Sequence, residues 1–168
     1  KSSVAWGDYD NDGDLDILLT GMPTFSSYTS KVYRNDGGAV FTDIAAGLTS
    51  AGYSSAIWTD YNCDGYLDIL LSGGNETTVL TKMHQNDLDG TFNVTTHYFE
   101  PVKFSSVTAC DYDNDGRSDY LISGSNGTER VTKLYKSNMP AANTKPAAPA
   151  SLSSVLNGSE TTLSWNKA

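Results

Sequence analysis

The chain has 168 residues, a net charge of −9 and 38% apolar residues, a size that fits one domain. No run of 18 apolar residues is present, which excludes a helical membrane span, and the acidic balance argues against nucleic acid as a partner. Two cysteines, Cys63 and Cys110, are too few for a disulfide framework and have no neighbouring histidine motif for zinc or a catalytic thiol. They read as two thiols outside any disulfide, with a bridge between adjacent units as the alternative. The chain starts at Lys1 with no visible signal peptide and reads as an excised or processed piece of something longer.

The first predicted element is the short apolar stretch Ser3-Val4-Ala5-Trp6. An acidic nonapeptide, Asp8-Tyr9-Asp10-Asn11-Asp12-Gly13-Asp14-Leu15-Asp16, follows it. Next comes an apolar run from Leu15 to Leu19, broken only by Asp16 and stopped by Gly21. A run this short between turn residues predicts a buried strand rather than a helix. Lys31-Val32-Tyr33-Arg34-Asn35-Asp36 alternates polar and apolar residues, as a half-exposed strand does. Val40-Phe41-Thr42-Asp43-Ile44 supplies a fourth short strand.

The same order of parts then recurs about fifty residues on, and again after that. Ser55-Ala56-Ile57-Trp58 leads into Asp60-Tyr61-Asn62-Cys63-Asp64-Gly65-Tyr66-Leu67-Asp68, the run Leu67 to Leu71, Lys82 to Asp87, and Thr91 to Thr95. Ser106-Val107-Thr108-Ala109 leads into Asp111-Tyr112-Asp113-Asn114-Asp115-Gly116-Arg117-Ser118-Asp119, Tyr120-Leu121-Ile122, and Lys133 to Asn138. A period near 50 marks an array of like units. Four short strands per unit predict an all-β fold of four-stranded antiparallel blades at 1–51, 52–102 and 103–138. Residues 139–150 carry three prolines and read as an extended linker. Residues 151–168 resemble the opening strands of a fibronectin type III module, or else fold back as the missing fourth strand of the third blade. Three blades do not close a ring, since propellers have about four or more, so blade faces should lie open.

The nonapeptides hold twelve of the chain's twenty acidic residues. Such clusters repel unless neutralised, and the pattern is that of a hard-cation loop. Positions 1, 3, 5 and 9 offer side-chain oxygens: Asp8, Asp10, Asp12 and Asp16; Asp60, Asn62, Asp64 and Asp68; Asp111, Asp113, Asp115 and Asp119. Position 6 is glycine each time (Gly13, Gly65, Gly116), as a sharp turn around an ion requires. Position 7 varies as Asp14, Tyr66 and Arg117, which suits ligation by the backbone carbonyl whatever the side chain. Three Ca²⁺ ions are therefore expected, one per repeat, with the second loop weakest because it has one carboxylate fewer. An EF-hand is excluded: its loop needs Glu at position 12 between helices, and that position is Leu19, Leu71 or Ile122 in predicted strands. Metal-free Asx-turns are the plainer reading of any one loop, but they do not account for three matching sets.

Loop and strand together, Asp-X-Asp-X-Asp-Gly-X-X-Asp followed by apolar residues and Gly, resemble the FG-GAP (also VCBS-type) repeat of integrin alpha-chain propellers and bacterial surface proteins. Gly21-Met22-Pro23 stands where that family has Gly-Ala-Pro, while Gly73-Gly74-Asn75 and Gly124-Ser125-Asn126 depart from it. Trp6-Gly7 is close to the FG element; Trp58-Thr59 and Ala109-Cys110 are not. The resemblance covers residues 3–138. It implies a β-propeller with calcium in turns within the blades, secreted or at the cell surface, used for adhesion or ligand binding. Such propellers also occur beside catalytic domains.

The expected function is an extracellular calcium-binding adhesion or ligand-binding module whose partner is a protein or glycan. A glycan-binding propeller and a non-catalytic accessory domain of a secreted enzyme are the alternatives. Ten tyrosines and three tryptophans could stack on sugars, yet most fall at repeat-equivalent positions, where packing explains them. No catalysis is expected, because the clustered acids are already assigned as ligands and His84 and His97 lack a nucleophile motif. Sequons at Asn75, Asn93, Asn126 and Asn157 are compatible with secretion. Self-association is expected from the open blade faces.

Overall fold

The computed structural model describes residues 2–139, 150–157 and 160–166. Every regular element among them is a β-strand. The first sheet is an antiparallel meander of β1 (Ser3–Gly7), β2 (Asp16–Thr24), β3 (Ser27–Asn35) and β4 (Phe41–Asp43). The second repeats it with β5 (Gly52–Thr59), β6 (Asp68–Gly74), β7 (Val79–Asn86) and β8 (Phe92–Val94). The third has β9 (Lys103–Cys110), β10 (Asp119–Ser125) and β11 (Arg130–Tyr135). Together they are a partial β-propeller, as the repeat pattern predicts.

Strands β12 (Ala150–Asn157) and β13 (Glu160–Asn166) pair with each other as a separate two-stranded sheet. Neither adds to the third blade, which keeps three strands among the described residues. Most of the expected linker, residues 140–149, lies outside the described residues.

Register is repeated from blade to blade. Ile17 pairs with Tyr33, Ile69 with His84, and Tyr120 with Tyr135. This pairing follows from apolar residues on both faces of the second strand, which is covered by a neighbouring blade on each side wherever one is present. In β6 every residue is buried, which explains its nearly unbroken apolar run.

The blades are joined by two apolar cores. The first brings Leu18 and Val32 of the first blade against Ala56, Ile69 and Leu71 of the second. The second brings Leu70 and Met83 against Val107, Tyr120 and Ile122 of the third. Each fully buried Leu or Ile contributes about 1.5–3 kcal/mol. Polar pairs repeat at both joints: the Thr20 and Ser54 hydroxyls share a 2.9 Å hydrogen bond, and those of Ser72 and Ser105 a 2.8 Å bond.

Candidate metal loops

All three nonapeptides lie in the turn between the first and second strands of a blade, and they fold the same way for the same reasons. The position 1 carboxylate accepts two backbone N–H groups across the turn. Asp8 binds Asp12 and Gly13 at 3.1 and 3.0 Å, Asp60 binds Asp64 and Gly65 at 3.1 and 3.1 Å, and Asp111 binds Asp115 and Gly116 at 3.0 and 2.9 Å. The position 5 carboxylate accepts the N–H of position 7: Asp14, Tyr66 and Arg117, at 2.9, 2.9 and 3.1 Å. Gly13, Gly65 and Gly116 turn the chain through left-handed backbone, with φ of 96°, 89° and 82°.

The position 9 acid ties the turn to the blade. Asp16, Asp68 and Asp119 are buried. One oxygen of each accepts the position 2 N–H (Tyr9, Tyr61, Tyr112) at 3.1, 2.9 and 3.2 Å. The other accepts an N–H at the end of the third strand (Asn35, Asn86) or just past it (Ser137), at 2.8 Å each time. Burial pushes Asp68 up to about 6, against the pull of these two amides. Burial likewise raises Asp16.

Position 3 differs between loops. The Asp10 and Asp113 side chains each present one buried oxygen, Oδ1, with no hydrogen-bond partner. An orphaned buried carboxylate oxygen is costly unless a cation or proton meets it. Asp10 is raised by burial first and by Asp12 next, which is the signature of an acid short of positive charge. In the second loop Asn62 donates Nδ2 to Asp64 at 2.8 Å and accepts the Asp64 N–H at 3.1 Å. Carboxylate oxygens converge within 4.8 Å of one another in two sets: Asp8, Asp10 and Asp16, and Asp111, Asp113 and Asp115. These donor sets, hard oxygens with an unsatisfied member, fit a divalent cation. In the third loop cationic side chains already lie on the acids. Lys136 pairs with Asp113 and, at 3.3 Å, with Asp115, and Arg117 Nη1 is 3.2 Å from Asp115.

A family model described as FG-GAP-like repeat matches residues 8–71 and again 60–122. The chain belongs to the FG-GAP-like repeat family. The two matches overlap, and each runs from a loop through the later strands of its blade to the next blade's loop. None of the curated proteins compared with the chain matches it. Membership in the FG-GAP-like family, with the all-β blades, points to a β-propeller module of the ligand-binding or adhesion type. No helix among the described residues is long and apolar enough to cross a membrane.

Two features of the loops escape a reading by ligand positions alone. Position 4 is left-handed in every loop, at Asn11, Cys63 and Asn114 (φ 59°, 60° and 61°). Asparagine tolerates that conformation, and its recurrence at two of the three positions is the signal. The other is the bracing of each turn by the third strand, announced by the repeated Asn35 and Asn86. Their side chains also donate to the Leu15 and Leu67 carbonyls at 3.2 Å. Two of the sequon asparagines have turn roles: Asn75 accepts from Thr77 and Thr78, and Asn126 from Thr128 and Glu129, at 2.7–3.0 Å between the second and third strands.

Proposed function

We propose that this FG-GAP-like chain is an extracellular, non-catalytic binding or adhesion module whose blades are ordered by Ca²⁺ in the three loops. The observation that carries the reading is the pair of buried, unpartnered carboxylate oxygens of Asp10 and Asp113, inside loops whose acids at positions 1, 5 and 9 accept backbone amides. Side chains at positions 1, 3, 5 and 9 and the carbonyls of Asp14, Tyr66 and Arg117 would hold the ion. Bound calcium supplies the positive charge that lets these acids stay ionised side by side. The chain's own contribution is to pre-form the turn and brace it on the third strand through the position 9 acid. Binding to such an ordered site adds directly to folding stability.

The histidines support a non-catalytic role. His84 is fully buried on the third strand of the second blade, where the other blades have Tyr33 and Tyr135. His97 Nδ1 lies 2.7 Å from the Tyr61 hydroxyl and its ring packs edge-on against that tyrosine. The partner is a protein or glycan outside the cell. The test is binding of the labelled chain to intact cells and to a glycan array, each with calcium and with chelator. Calcium-dependent binding to either supports the proposal; equal binding with and without chelator, or none to either, contradicts it.

A further inference from the structure

Two of the Asn-X-Thr triplets fall at one place in the repeat. Asn75-Glu76-Thr77 and Asn126-Gly127-Thr128 each begin on the residue after the second strand of a blade, β6 or β10, and lead into the third, β7 or β11. The first blade joins β2 to β3 through Phe25 and Ser26, without the triplet. These hairpin tips lie at the end of the blades opposite the metal loops, because the loops join first strands to second. Glu76 and Thr77 are exposed, as are Gly127 and Thr128.

Each turn is held through one atom of its asparagine. Asn75 Oδ1 accepts the Thr77 and Thr78 N–H groups and, at 3.1 Å, the Thr77 hydroxyl. Asn126 Oδ1 accepts the Thr128 and Glu129 N–H groups and, at 2.8 Å, the Thr128 hydroxyl. The amide nitrogen is left over. Asn75 Nδ2 has no hydrogen-bond partner among the described residues and is not one of their buried unpartnered atoms, so it reaches solvent. Asn126 Nδ2 makes a single long contact, 3.3 Å to Glu100 Oε1. Asn93 is the contrast. Its triplet, Asn93-Val94-Thr95, begins within β8, where Asn93 pairs with Gln85 and its Nδ2 donates to Asp87.

We propose that Asn75 and Asn126 are attachment sites for N-linked glycans, an inference that rests on the extracellular reading of the chain. An Asn-X-Thr triplet in a surface loop of a secreted protein is the acceptor pattern for this modification. The donor is an oligosaccharide carried on a lipid pyrophosphate. Nδ2 bonds to C1 of the first sugar, and the C1–O bond to the pyrophosphate breaks. Its electron pair leaves with the lipid pyrophosphate, and one Nδ2 proton passes to a base of the transferring enzyme. Oδ1 takes no part in the new bond, so the three hydrogen bonds of each turn persist in the glycosylated chain. At Asn93 the same substitution falls on the atom that holds Asp87. The sugars stand away from the metal loops and leave those loops open to calcium.

The experiment maps glycans on the protein recovered from its own source, with medium, cell surface and cell interior collected separately. A glycan-releasing amidase in heavy-oxygen water turns each asparagine that carried a glycan into a labelled aspartate, read by peptide mass. Label is expected at Asn75 and Asn126 in the medium or surface fraction, and weaker or absent at Asn93. In the same cells Thr77→Ala should lose the label at Asn75 alone and Thr128→Ala the label at Asn126 alone, while Thr77→Ser keeps both. A secreted chain lacking label at Asn75 or at Asn126 would overturn the proposal and leave the extracellular reading standing. An unlabelled chain confined to the cell interior would overturn both. Label at Asn93 as strong as at the hairpins, or label persisting at Asn75 in Thr77→Ala, would overturn the proposal as well.

Discussion

His84 shows how far one buried side chain can set a protein's response to acid. Burial first, and Lys82 next, lower its pKa to about 4 from an ordinary value near 6.5. The unfolded chain therefore binds a proton that the folded chain refuses throughout pH 6.5 to 4. Its contribution to stability is intact above 6.5 and is lost as the pH falls through that window. The variant His84→Phe keeps an aromatic ring, as Tyr33 and Tyr135 do at the equivalent positions. Denaturant titrations of both proteins should diverge by up to roughly 3 kcal/mol between pH 6.5 and 4; a constant difference across that range would show that His84 does not titrate there. Lys136 is a second residue with an outsized effect, because it lies on the acids of the third loop. A cation entering that loop has to displace it. Lys136→Gln should tighten calcium binding there about two- to fivefold, the worth of an exposed ion pair, read by calorimetry; weaker binding would mean the lysine helps rather than competes.

At the scale of the element, the loop and the strand that follows it form one unit because the position 9 acid belongs to both. Asp16, Asp68 and Asp119 open β2, β6 and β10 while accepting amides from the turn and from the third strand. The approach of one blade to the next is set in part by Gly7, at the end of β1. A Cβ there would lie 2.6 Å from Trp58 Cδ1 and 2.8 Å from Leu67 Cδ1. Thr59 holds the same place in the second blade, with its hydroxyl 3.3 Å from the Tyr120 hydroxyl, and Cys110 holds it, exposed, in the third. Gly7→Ala should therefore destabilise the chain by about 1–3 kcal/mol through overpacking, measured by urea unfolding; an unchanged midpoint would mean Trp58 yields freely. Strand positions were legible in the sequence because each apolar run is short and bounded by glycine or acidic turns. The glycine of the FG element was legible only as a departure between repeats. Its reason, the indole of Trp58, comes from a different blade and has no local signature. The bracing of the loop at Asn35 and Asn86 was legible only as a repeated asparagine, since it joins residues 18 or 19 apart.

For the whole molecule, repetition of one blade-to-blade joint accounts for both the cores and the open faces. The period near fifty made the blades readable, and the ligand spacing made the loops readable. The inequality of the loops was only partly so. Asn62 marks the second loop as poorer in charge, whereas Lys136 reaches the third loop from just past the end of β11, 23 residues on from Asp113. The stability of the array is expected to rest on calcium, with the acids otherwise left to repel one another. Calorimetric titration of the chelated protein with Ca²⁺, alongside Asp12→Ala, Asp64→Ala and Asp115→Ala, tests this most directly. The account predicts three ions bound per wild-type chain and one fewer in each variant. An absence of binding, or the same stoichiometry in all four proteins, would contradict it.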